Sequence, residues 1–494
     1  MFLLKRTRGL PAQAGMTLID VLVGTAVALM IFLAVYGLLR ASAQISTLAT
    51  ETAAATAIAN SQMEYIRSLP YDSVGTVGGI PAGSIPQTST TVEDNISYGV
   101  RTFIDYYDDP ADGTGASDTN GITTDYKRAK VTVSFTTSTG ARQVSLVTDI
   151  VPPGIESTTG GGTLKATIVN ASGAPVAGAA VRVSASTTPL VDVTTYSDAT
   201  GVVYLPGAMP ATGYHVLVTK SGYSFAQTYD RDSTNQNPNP GHLTVVKNTT
   251  TSGTFAIDVL ASLLVRTFSP IAPGAFSDSF NDASKVTALV NAGVSGGTLT
   301  NTPNGAGGYL SPASARSTAV SPAYLSTWTS ASATLSAPAG TSALVHIADG
   351  SGNLLPDAVV PGNSTGFSTF PIDLSGVATS TYPSLSLVAN LSAGAAAPAV
   401  LDWTLAYTAG PVPLPNISFT LTGAKTIGST GSGSNIYKTV VSTTTDATGA
   451  RALSLEWDAY GIMVSGYTIQ SSSIPTPFQI QPGTANEADI ILSP

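Results

Sequence analysis

Cysteine is absent from the 494-residue chain, which excludes disulfides and thiolate metal sites and leaves stability to apolar cores. Charge is scarce as well. Asp, Glu, Lys and Arg together make up 10% of residues, against about 25% in ordinary soluble domains. Ser, Thr, Gly and Ala take their place, with 48 Gly and 31 Pro, a composition of short strands and many turns rather than of a helical enzyme. The 21 Lys and Arg are outnumbered by 30 Asp and Glu, for a net charge of −9. Nucleic-acid binding needs clustered cations, so no nucleic acid is expected as a partner. Histidine occurs three times, as His215, His242 and His346, far apart and in different local settings. One Gly-x-Ser-x-Gly match, Gly293 to Gly297, runs into Thr298-Leu-Thr-Asn-Thr-Pro303, where a nucleophile elbow would need a helix. No HExxH motif and no phosphate-binding glycine loop occurs. No catalytic residue is assigned, and the chain is read as a non-enzyme.

Long apolar runs are also missing, except for one. Leu18 to Leu39 is a 22-residue apolar segment, which as a helix spans about 33 Å, enough to cross a bilayer. Lys5, Arg6 and Arg8 precede it, which by the positive-inside rule keeps the N-terminus cytoplasmic. One acid, Asp20, interrupts the run near its start. A charge there costs roughly 2.5–3.5 kcal/mol on insertion scales and is read as functional. A cleaved secretory signal has a shorter apolar core, and a plain signal anchor gives no reason for the acid. Ala41 to Arg67 continues in helix formers without Gly or Pro and stops at Pro70. From Thr17 to Ser68 a single helix would be roughly 78 Å long; two helices with a break near Arg40 fit the same pattern.

The order of basic leader, Gly15, Met16, apolar helix and early acid resembles the class III signal of type IV pilins and pseudopilins. That resemblance implies cleavage after Gly15 by a prepilin peptidase and N-methylation of Met16. It also implies pairing of the Asp20 carboxylate with the N-terminal ammonium of a neighbouring pilin subunit, which cancels two charges that are costly in hydrocarbon. The family usually has glutamate at this position, so the reach here is one methylene shorter. Gly37 stands where many members have a helix-kinking proline.

Residues 71–157 read as a β head on this helix. Ile96–Ile104, Lys127–Phe135 and Val144–Ile150 are strand-like, the last two alternating with period two, and Ser138-Thr-Gly140 marks a hairpin. Tyr65-Ile-Arg-Ser-Leu-Pro-Tyr71 and Asp125-Tyr-Lys127 resemble minor pilin-like proteins with such heads. Between the strands an acidic loop offers Asp105, Asp108, Asp112, Asp118 and Asp125 as hard oxygen ligands with interspersed glycine. Calcium is one reading of that loop and a solvated loop with Asx turns is the other; no other cofactor is expected.

After a Gly-rich linker at 158–163, residues 164–259 resemble the carboxypeptidase regulatory-like, prealbumin-like β-sandwiches, through Asn170-Ala-Ser-Gly173, Pro175-Val-Ala-Gly-Ala179 and Asp198-Ala-Thr-Gly201. In that family such domains are mostly spacers or adhesion modules. Asp446-Ala-Thr-Gly449 repeats one of these turns, which suggests a second such sandwich at 411–494. Residues 260–410 have strand runs of a different grain and read as a jelly-roll-like sandwich, where Trp328 and Trp403 are candidates for stacking on a sugar or for the core.

The expected fold class is therefore α+β followed by all-β. A leader (1–15) and a long pilin-like helix (16–70, membrane part about 18–39) lead into a small antiparallel head (71–157) and three β-sandwiches in a row. The expected role is a large minor pilin or pseudopilin of a type IV filament system, held in the cytoplasmic membrane by one helix with the later domains outside, and at the cell surface as a filament after assembly. Its expected partners are other pilin subunits, the prepilin peptidase, the membrane, and a surface glycan or protein. The alternatives are a single-pass membrane-anchored adhesin and a pseudopilin of a secretion or DNA-uptake machine.

Overall fold

The computed structural model describes residues 18–113, 122–137, 140–153, 160–186 and 190–494, except the side chain of Asp20. One long N-terminal apolar helix is followed by a largely all-β region of multiple antiparallel sheets. The chain divides into two compact units, 1–257 with 428–434, and 258–427 with 435–494.

In the first unit the helix runs unbroken from Leu18 to Ser68, 51 residues. Neither Gly37 nor Arg40 interrupts it, so the two-helix alternative falls. Without proline between Pro11 and Pro70 nothing removes a ladder donor, and Pro70 ends it. The second half of the helix buries Ala55, Ala59, Met63 and Ile66. Their spacing of three and four residues draws one stripe along the helix. That stripe packs on the strands Tyr126–Thr137 and Gly140–Ile150. They belong to a four-stranded antiparallel sheet in sequence order, completed by Thr88–Glu93 and Ile96–Tyr107. Val100, Ile104, Ala129, Val131 and Val133 point inward at alternate positions to close the core.

The first sandwich packs Thr250–Ala256, Gly162–Val169 and Val202–Ala208 as one sheet. The facing sheet holds Ala226–Gln227, Ala211–Thr219, Ala180–Ala185 and Val191–Tyr196, with Leu243–Val245 also on Ala211–Thr219. Val181, Val183, Tyr214, Val216 and Phe255 fill the space between. Ile80 of the head joins this core, with Phe103 and Tyr106 packed against it. Gln87 donates to Asp192 O at 2.7 Å, and Asp192 N donates to Gly78 O at 2.8 Å. Head and first sandwich thus share apolar contacts, a backbone hydrogen bond and a side chain–backbone hydrogen bond.

The second unit departs from three sandwiches in a row. Ala261–Phe268, expected in the middle sandwich, pairs instead with Ala450–Leu455 and, in parallel, with Ala485–Ser493. It is therefore the first strand of the last sandwich. The middle sandwich is inserted after it, and the chain returns at Pro413, which bridges Phe268. The first sandwich has the same arrangement without the insertion, because there Val169 bridges Pro175 across a short turn.

Other details agree. Asp198 Oδ1 accepts from Thr200 N and Val202 N, both at 2.9 Å, and Asp446 Oδ1 from Thr448 N at 2.8 Å and Ala450 N at 3.0 Å. Gly201 O accepts from Ile168 N, and Gly449 O from Thr267 N. Ser197 Oγ and Thr445 Oγ1 each accept a buried backbone N–H, from Ala179 and Ile417. The repeated tetrapeptide is one structural device used twice.

Gly449 makes that device testable. Its φ is +78°, and a Cβ there would lie 2.8 Å from Leu414 O and 3.0 Å from Thr267 O. Gly449→Ala is expected to destabilise the last sandwich by about 2 kcal/mol or more, measured as faster hydrogen exchange in Ala450–Leu455. Gly466→Ala, at the same φ of +78° with nothing within 4 Å, should cost less.

Candidate functional site

The feature that demands a partner is the first half of the helix. Leu18 is 82% exposed, Phe32 71% and Leu38 71%, and the most apolar window has a mean hydropathy of 2.4 with none of it buried. A helix apolar on all sides belongs inside a large core or a membrane. Each large apolar side chain left in water forgoes about 1.5–3 kcal/mol, so this surface is suited to cover by lipid or by other helices. The Thr25 hydroxyl in this half is satisfied within the helix, donating to Leu22 O at 2.9 Å, as a hydrocarbon environment requires. Asp20 falls inside this helix at its third residue. Gly15 and Met16 lie outside the described residues.

Where the helix enters the head, Lys127 was not anticipated as a structural residue. It is 2% exposed and donates Nζ–H to Tyr71 O at 2.7 Å and Val74 O at 2.8 Å, with the Tyr71 ring 4.5 Å away. Burial lowers its amine to about 8, against the opposing pull of Asp72. The lysine ties the helix exit to the sheet. Its inward parity with Ala129, Val131 and Val133 was the available signal.

Among the described residues no group of three or more His, Cys, Asp or Glu is placed to hold a metal ion. Asp105 sits in the strand Ile96–Tyr107, opposite Arg128. The Arg128 guanidinium instead grips Asp149 through two hydrogen bonds at 2.7 and 2.9 Å and lies 3.8 Å from the Tyr107 ring centroid. Burial pushes the Asp105 carboxyl up to about 7, with Arg128 opposing. Asp125, 2% exposed, accepts from Asp109 N at 2.6 Å, and Asp109 in turn accepts from Ala111 N at 3.0 Å in an Asx turn. Asp108 and Asp112 follow on the loop, and Asp118 lies outside the described residues.

The tryptophans take the core alternative rather than the stacking one. Trp328 and Trp403 are both fully buried in the middle core. Trp328 Nε1 donates to Tyr382 O at 2.8 Å, and Trp403 tilts against Phe280 at 5.1 Å. Neither face is open to a sugar.

The structure also pairs two histidines that sequence distance separated. The His215 and His242 rings lie 5.3 Å apart. The Asp230 carboxylate can only accept, so in the neutral ring His242 Nδ1 is the acceptor and takes the proton of Thr228 Oγ1 at 2.9 Å, while that Oγ1 accepts from Val216 N. His242 Nε2–H donates to Asp230 at 2.8 Å. The serine of Gly293-Val-Ser-Gly-Gly297 closes a hairpin between Ala292–Ser295 and Thr298–Asn301, with Gly296 and Gly297 at φ +60° and +78°. That is a two-residue β-turn, with no helix for an elbow.

No family model matches the chain, and no curated protein does. Among solved structures, the Bacillus anthracis TIE protein is similar at 12% identity, covering 74% of this chain and 59% of its own, with a TM-score of 0.17. BcpA, the major pilin subunit of Bacillus cereus, is similar at 10% identity over 67% of this chain and 100% of its own, with a TM-score of 0.15. A streptococcal ancillary pilin is similar at 9% over 73% and 75%, with a TM-score of 0.19. Superpositions this loose carry no argument about this chain.

The raised Asp105 carboxyl sets a pH dependence. Its proton is held more tightly in the folded head than in the unfolded chain, so the head loses stability as pH rises from 3.8 toward about 7 and no further above. Asp105→Asn is expected to flatten that limb, read as thermal unfolding of the full chain in detergent across this range.

Proposed function

We propose that the chain is a large minor pilin or pseudopilin of a type IV filament system. The observation that carries this reading is one continuous helix of 51 residues with two different halves. The first is apolar and exposed; the second is docked by a single stripe on a four-stranded antiparallel sheet. A plain anchor needs only the first half. A subunit that moves from a membrane into a helical filament needs both, since the exposed half exchanges lipid for neighbouring helices while the docked half fixes the head to the stem.

In this reading the prepilin peptidase cuts after Gly15 and Met16 is methylated. The Asp20 carboxylate then pairs with the amine of a neighbouring copy, so that neither charge stays alone in hydrocarbon. Lys5, Arg6 and Arg8 hold the leader on the cytoplasmic side and place the sandwiches outside. Bulky appended sandwiches would crowd a helically packed shaft, which favours a tip or lateral position and a role in recognising surfaces.

The Asp20→Ala variant separates this from a single-pass anchored adhesin. Membrane insertion is expected to persist, because the change removes a cost of roughly 2.5–3.5 kcal/mol. Recovery of the chain in sheared filaments is expected to fall at least about tenfold, equivalent to losing about 1.4 kcal/mol of pairing. Unchanged recovery contradicts the filament reading.

A further inference from the structure

The middle sandwich carries a groove of about 420 Å³, in the size range of small-ligand sites. Its floor is the outer face of the sheet Val286–Val290, Ala313–Ser317, Leu385–Ser392 and Ser342–Asp349. One row crosses all four strands, because Val290 pairs with Ser314, Ser314 with Asn390, and Asn390 with Leu344. Ser342 and Ser392 pair beside it. At the usual strand spacing the row is about 14 Å long. No charged residue lines the groove.

Asn390 is the exposed end of a buried polar chain. Asn363, fully buried, accepts from Ile347 N at 2.7 Å and donates to Ile347 O at 2.8 Å and Leu355 O at 2.7 Å. Its own carbonyl accepts from His346 Nδ1 at 2.6 Å. A carbonyl cannot donate, so Nδ1 carries the proton, and in the neutral ring Nε2 is left as an acceptor. It receives Asn390 Nδ2–H at 3.0 Å. His346 is 3% exposed, and burying an imidazole and a carboxamide beneath a sheet is costly unless every group is paired. The result of this pairing is that the Asn390 carboxamide has a fixed orientation, with Oδ1 and one N–H left for the groove.

We propose that this groove binds a neutral carbohydrate chain. A carboxamide offers one acceptor beside one donor, which matches adjacent sugar hydroxyls, each able to do both. Ser314, Ser342 and Ser392 add hydroxyls of their own, while Val290 and Leu344 lie under the apolar faces of sugar rings. Charged polymers find no counter-charge here. A peptide strand would seek an open sheet edge for main-chain hydrogen bonds, and this groove lies over a face. The proposal deepens the surface-recognition part of the preceding reading and rests on it for its biological setting only.

The test uses the full chain in detergent on an array of short neutral oligosaccharides (glucans, mannans, galactans and their N-acetylated counterparts), followed by titration of any hit. Saturable binding to at least one is expected. Asn390→Ala should weaken it about tenfold through two lost hydrogen bonds, and Val290→Arg should abolish it by filling the groove. Val290 is 55% exposed, so Val290→Arg should unfold like the unaltered chain and is the deciding variant; Asn390→Ala also leaves His346 Nε2 without its donor and should unfold at a lower temperature. The proposal is overturned by no binding to any neutral oligosaccharide, by binding that neither variant weakens, or by groove-dependent binding of peptides alone. Because the array reads binding in solution, its failure leaves filament incorporation untouched, and a chain that binds sugar without entering filaments fails only the preceding reading.

Discussion

An apolar helix surface exposed on every side is the constraint that the rest of the molecule answers to. From Leu18 to Leu39 no face of the helix is polar enough to meet water, and none is covered by the chain's other described residues. The second half of the same helix has the opposite character, one narrow stripe buried and the remainder wet. A rigid stem results, fixed at one end by Ile66, Met63 and Lys127 to a β head and left uncovered at the other. In the proposed filament, that uncovered end is held first by lipid and then by other copies.

The β-domains meet a second constraint, the near absence of charge and the lack of cysteine. Their cores are ordinary alternating apolar strands, while the outward positions often pair hydroxyl with hydroxyl across strands. Thr327 and Thr408 meet at 2.8 Å, Thr420 and Ser442 at 2.9 Å, and Ser277 and Thr404 at 3.0 Å. Such pairs each add a few tenths of a kcal/mol and keep exposed faces polar without ion pairs. One buried acid gathers two cations. Glu456, 6% exposed, receives Lys438 at 2.7 Å and Lys425 at 3.4 Å in the last sandwich.

Legibility in the sequence followed the range of the interaction. The apolar run, the proline that ends the helix, the alternating head strands and both Asp-Ala-Thr-Gly turns are local, and they read directly from spacing. The nesting of the middle sandwich did not. Ala261–Phe268 alternates like any half-buried strand, and its partners Ala450–Leu455 and Ala485–Ser493 lie far along the chain. The Trp328 and Trp403 environments were equally hidden, because parity shows which face a residue takes but not what covers that face. Lys127 has the right parity, but lysine is usually solvated, so parity alone does not mark its burial. The Asn363–His346–Asn390 chain joins loop, strand and neighbouring strand, and no local pattern marks it.

The central claim is that this helix is the processed stem of a filament subunit, and mass spectrometry of the N-terminus of the cellular protein tests it most directly. The account predicts a chain that begins at Met16 with a methylated amine. A chain that retains residues 1–15, or one cut beyond the apolar helix, would contradict it.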